Sequence, residues 1–162
     1  MNEFDPLSRI STLADIEMSM HGNRVVVGAG STVDSFVKMK FTGGSGDIVI
    51  GPNCTINSGT VIYSGNGVVL GDGVAVAANC TFAPTNHEYQ RRDVPIREQG
   101  YRPDKGGIIV GDDVWIGAGT VLLDGASVGE GCVVAAGSVV RGHLESYGVY
   151  GGNPIKRLGT RG

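Results

Sequence analysis

Aromatic side chains are scarce in this chain of 162 residues. One Trp, five Tyr and four Phe make up 6% of it, which excludes an ordinary core built from large rings. Only six prolines are present and no G-X-Y period accompanies them, so a collagen-like helix is excluded despite abundant glycine. A strong charge of one sign is missing as well. The formal net charge is −3 with both signs interspersed, which leaves no electrostatic footprint for a nucleic-acid backbone or an anionic membrane surface. No stretch approaches the ~20 apolar residues of a membrane span, and the opening MNEFDPLSRI has no basic segment followed by an apolar one, so a cytoplasmic location is expected. Cys54, Cys80 and Cys132 form no CxxC pair, which points to neither a disulfide framework nor a zinc site; no metal is expected.

What the chain does have is glycine, 28 residues or roughly 17% against a typical ~7%, and a strict internal step. Aliphatic residues recur every six positions at Val110, Ile116, Leu122, Val128, Val134 and Val140. Upstream the step runs Ile50, Ile56, Ile62, slips by two residues at SGNG, and resumes as Leu70, Val76, Phe82. Four positions after the aliphatic residue stands, in most units, a small or β-branched one, and all three cysteines fall there. That position and the next aliphatic residue are two apart, as in Cys54-x-Ile56, so each unit contains a short strand with two inward side chains. A strand and a glycine corner every six residues predict a parallel β-solenoid, with the cysteines as small core residues.

Three units per coil give a single domain over 1–162. It divides into an irregular segment or first coil over 1–26, coils over 27–87, an extruded loop over 88–109, coils over 110–145 and a C-terminal tail over 146–162. The break matters most. The next aliphatic start after Phe82 should be residue 88 but is 110, and a loop that long in a compact domain is usually functional. His87 stands at its base in APTNHEYQ.

With these residues the chain resembles the hexapeptide-repeat acyltransferases, in particular the branch of galactoside, maltose and xenobiotic O-acetyltransferases. The segments that carry the likeness are APTNHEYQ, GDDVWIGAGTVLLDGASVGEGCVVAAGSVV and YGVYGGNPIKRL, within about residues 48 to 158. The resemblance implies an all-β, left-handed parallel β-helix with one long extruded loop. It also implies a homotrimer whose acetyl-CoA sites lie between neighbouring subunits, and a sugar or saccharide as acceptor.

By the same resemblance His87 is the general base, and an imidazole, titrating near ~6.5, suits that task at neutral pH. Ala118 and Ala136 are implied as main-chain contacts to the coenzyme arm, Trp115 as a flanking residue, and Lys156 and Arg157 as cations for the coenzyme phosphates. Asn57 matches an asparagine near the acceptor, and the turn YSGNG offers Tyr63 and Ser64 as further acceptor contacts. Sugar-specific members carry carboxylates in that turn and this chain does not, which removes the basis for a galactoside acceptor in particular. Two other readings are an N-acetyltransferase acting on an amino sugar, free or nucleotide-linked, and a carbonic-anhydrase-like zinc β-helix. The second would need a site of three histidines, and this chain has three in all, at 21, 87 and 143, with no close pair.

Overall fold

The computed structural model describes residues 1–162, and its regular structure is strand throughout apart from one 3-10 turn at Ile96–Glu98. The strands lie in three parallel sheets of 7, 8 and 6, and in the parallel run each sheet takes every third strand of the chain. One coil therefore contributes one short strand to each face. On the first face Ile48, Val68 and Ile108 are register partners; on the second Ile56, Val76, Ile116 and Val134; on the third Ile62, Phe82, Leu122 and Val140. These are the residues of the six-residue step or their strand companions. Alternation within a strand points them inward, and all are buried in one continuous core.

The small residues at the fourth position have a second task. Ser31, Cys54, Thr60, Cys80, Thr120, Cys132 and Ser138 are buried, and each turns its hydroxyl or thiol to a main-chain carbonyl. Examples are Ser31 Oγ to Gly51 O at 2.7 Å, Cys54 Sγ to Gly71 O at 3.1 Å and Cys80 Sγ to Gly117 O at 3.3 Å. A corner carbonyl that faces the interior needs a donor, and these side chains are small enough to supply one inside the coil.

The first coil is regular. Glu3–Phe4, Arg9–Ile10 and Asp15–Ile16 pair in parallel with Val25–Val27, Thr32–Val33 and Lys38–Lys40, which places the half-buried Ile10 and Ile16 at the top of the core. Three boundaries differ from the sequence reading. Strand Thr81–Ala83 ends before His87, and strand Ile108–Val110 begins before residue 110, so the excursion spans 84–107 and His87 lies on it. Register pairing of Val128 with Leu144 makes that coil sixteen residues long, two short of the regular eighteen. Residues 146–162 are no loose tail. Gly148–Gly151 adds to the second sheet in parallel, and Lys156–Thr160 folds back on it antiparallel.

Candidate active site

The excursion leaves and returns at the corner between the third and first faces. Its neck is a clasp: Glu88 N–H donates to Gly100 O at 3.0 Å and Arg102 N–H donates to Asn86 O at 2.8 Å. His87 is thereby set directly opposite Tyr101, with ring centroids 4.8 Å apart and planes at 35°. Beyond the neck, two side chains shape the tip. Glu88 Oε1 accepts the amide protons of Tyr89 at 2.8 Å and Gln90 at 3.2 Å, and these bonds hold its carboxyl below the usual carboxylate range. Gln99 accepts from Arg91 N at 3.0 Å and donates to the carbonyls of Arg91 and Val94 at 2.7 Å each.

The returning strand of the loop is held by Asp124. Its Oδ1 accepts Gly107 N–H at 3.0 Å, and its Oδ2 accepts Lys105 N–H at 3.1 Å and the Asn66 amide at 3.2 Å. Between loop and coils lies an open cleft of about 560 Å³ lined by Asn86, His87, Tyr89, Arg102, Asp124 and Arg141, among others. The Arg102 guanidinium stacks 4.2 Å from the centre of the Tyr89 ring, and its Nε is buried without a partner. Because the Asp124 carboxylate is already occupied by three donors and Arg102 pairs with Glu88 at 3.6 Å, the free polarity of the cleft comes from His87, Lys105 and Arg141. The arrangement suits an uncharged hydroxyl or amine meeting a base next to an anionic group.

The other residues singled out from the sequence are distributed elsewhere. Trp115 lies on the outer side of the second face, 56% exposed. Ala118 and Ala136 stack at the corner between the second and third faces, where Gly137 N–H donates to Ala118 O at 2.8 Å. The whole third sheet separates that corner from His87, so a single chain does not bring the base and the alanines together. Asn57 begins a turn at the same second-to-third corner, and its amide donates to Val76 O at 2.8 Å. Tyr63 points outward from the third face. Lys156 and Arg157 lie on the closing hairpin, where Arg157 pairs with Glu145 at 3.2 Å.

Ser64 is a correction. It stands two residues beyond the inward Ile62, so alternation turns it into the interior, and its hydroxyl accepts Thr42 N–H at 3.3 Å. It cannot meet an acceptor. Tyr101, Arg102, Asp124 and Arg141 were missed. For Asp124 a signal existed, because it stands two beyond the inward Leu122, as Ser64 stands beyond Ile62.

Two family profiles match the chain: one described as bacterial transferase hexapeptide (six repeats) over residues 107–142, and one described as hexapeptide repeat of succinyl-transferase over residues 47–81. The chain belongs to the hexapeptide-repeat acyltransferase family. Among curated relatives of this family, a chloramphenicol acetyltransferase of Agrobacterium fabrum is 32% identical over 119 residues, covering 73% of this chain and 54% of that protein. The "putative lipopolysaccharide biosynthesis O-acetyl transferase WbbJ" of Escherichia coli is 29% identical over 140 residues, covering 83% of this chain and 68% of that protein. The chain covers only part of the curated relatives it matches, 38%, 54% and 64% of the length of three of them. A crystal structure of AntD, an N-acyltransferase from Bacillus cereus in complex with dTDP and 3-hydroxybutyryl-CoA, superposes with a TM-score of 0.82 at 20% identity, covering 99% of this chain and 83% of that one. The fold of this hexapeptide-repeat protein is the left-handed parallel β-helix. No helix of the chain is long and apolar enough to cross a membrane.

Proposed function

We propose that the protein is a cytoplasmic acetyltransferase that moves an acetyl group from acetyl-CoA to a hydroxyl of a sugar or saccharide, with His87 as general base. The observation that carries this reading is the placement of His87, exposed on a clasped loop neck and lining a cleft that also holds Arg141 and Arg102, the latter paired with Glu88 at 3.6 Å. The acetyltransferase relatives and the acyl-CoA bound by AntD support the donor, and the name of WbbJ supports a saccharide acceptor.

In the reaction the acceptor oxygen bonds to the thioester carbonyl carbon while an imidazole nitrogen of His87 takes the hydroxyl proton. The tetrahedral oxyanion collapses, the carbon–sulfur bond breaks, and the proton passes from the imidazolium to the departing thiolate. A main-chain N–H at a glycine corner can hold the oxyanion without a side chain in the way. Ala118 and Ala136 offer main-chain contacts to the coenzyme arm, Trp115 flanks it, and Asn57 and Tyr63 face the acceptor. Lys156 is left for the coenzyme phosphates, since Glu145 already engages Arg157.

The separation of His87 from Ala118 and Ala136 by a full sheet supports a homotrimer in which one subunit supplies the base and its neighbour the coenzyme corner. A second reading, transfer to the amine of a nucleotide-linked amino sugar, is favoured by the cations Arg102 and Arg141 in the cleft, which suit an acceptor phosphate. The test follows CoA release from acetyl-CoA across sugars, nucleotide sugars and amines. His87→Ala should lower acceptor-dependent turnover by roughly 10²–10⁴-fold, and equal rates in parent and variant would remove the base assignment.

A further inference from the structure

We propose that Tyr101 is the positioning residue of the site, fixing the plane of the His87 imidazole before substrate arrives; the inference rests on His87 acting as base. Four observations converge on it. The two hydrogen bonds of the loop neck flank the His87–Tyr101 pair on either side, which makes it the close, non-hydrogen-bonded kind of antiparallel pair. In such pairs the side chains stand nearest to each other. The rings accordingly meet at 4.8 Å and 35°, within the range where aromatic contact is favourable.

The phenol is in turn backed by the β-helix. A Cβ on Gly43 would come within 3.1 Å of Tyr101 Cζ and 3.2 Å of Cε1, so the ring rests on bare backbone there. That backbone is itself anchored, because Gly65 N–H donates to Thr42 O at 3.0 Å and Gly46 N–H donates to Gly65 O at 2.9 Å. A rigid corner thus supports Tyr101, and Tyr101 supports the face of an exposed imidazole. Ring contact with Tyr101 constrains the imidazole while His87 still lines the cleft. A base held this way reaches the acceptor proton without a further ordering step, which is what accurate orientation contributes to rate.

The experiment compares Tyr101→Ala, Tyr101→Phe and Gly43→Ala with the parent in the full-length protein. Turnover should fall roughly ten- to a hundredfold in Tyr101→Ala with the KM for acetyl-CoA unchanged, and should stay near the parent in Tyr101→Phe, which keeps the ring. Gly43→Ala, which displaces the phenol from a different element, should fall in between. The second readout is the order of the His87 ring, from NMR relaxation of its ring carbons. The ring should become mobile in Tyr101→Ala and in Gly43→Ala but stay ordered in Tyr101→Phe; the melting temperature should stay parental in both Tyr101 variants and drop in Gly43→Ala, where φ is +71°. Parental His87 ring order in Tyr101→Ala would overturn the proposal, as would a Phe variant as impaired as the Ala one. Loss of the general-base reading is seen separately, as parental turnover in His87→Ala.

Discussion

Asp124 and Asn66 lie 58 residues apart in the chain and are joined by a 3.2 Å hydrogen bond from the Asn66 amide to the Asp124 carboxylate. The same carboxylate accepts the buried Gly107 N–H and the Lys105 N–H, so one side chain ties the corner of an upper coil, the returning loop and a lower coil together. Asp124→Ala strands the Gly107 donor, and a buried donor without a partner costs about 2 kcal/mol. Melting temperature should drop by roughly 6 °C, read by calorimetry, and Asp124→Asn should recover part of the loss. An unchanged melting temperature in Asp124→Ala would show that water replaces the carboxylate.

Corner stacking beneath Ala118 depends on a glycine. A Cβ on Gly117 would lie 2.5 Å from Ala136 N and 2.8 Å from Val134 O, both rigid backbone, so Gly117→Ala must push neighbouring coils apart. The expected cost is about 2 kcal/mol, with a rise in the KM for acetyl-CoA because the Ala118–Ala136 ladder shifts with it. Denaturant melts and donor saturation curves measure the two effects.

The three thiols should be silent in the native protein. Cys54, Cys80 and Cys132 are fully buried, and burial pushes each thiol pKa up. A thiol reagent should therefore label none of them until the protein unfolds. The sign follows for stability: the protonated form is favoured in the fold, so the contribution is complete below the unfolded pKa of ~8.5 and is lost as pH rises above it. Chemical melts from pH 7 to 10.5 should show stability falling at the alkaline end, and falling less when Cys54 and Cys80 are replaced by Ser.

Acid should loosen the loop tip first. Glu88 is held low by the amides of Tyr89 and Gln90, so its ordering effect is present above the unfolded pKa of ~4.3 and is lost as pH falls through the lower folded value. Protection of the Tyr89 and Gln90 amides against exchange, relative to their intrinsic rates, should fall below about pH 4 while that of the buried coils is kept, and Glu88→Gln should show the weaker protection already at pH 7.

The coils were legible because each short strand must bury its inward side chains in the same place as the strand above, and that demand repeats every six residues at Val110, Ile116 and Leu122. Ser64 was misplaced because its glycine-rich surroundings look like an exposed turn, although strand alternation from Ile62 carries it inward. Tyr101 could not be foreseen. It meets His87 through a pairing across fourteen residues with no period, and which loop residues oppose each other depends on where the neck closes. Asp124 lay between these cases, since its inward position was deducible but the donors that satisfy it come from Asn66 and the loop.

The excursion over 84–107 interrupts the chain but not the register. Val68 pairs with Ile108 below it in the same way that Ile48 pairs with Val68 above, although twice as many residues intervene. The two coils would therefore meet identically around a loop of another length or composition. Tip residues between Glu88 and Gln99 are insulated from the scaffold by the clasp, so grafting a foreign tip there alters what the cleft admits while the β-helix stays as it is.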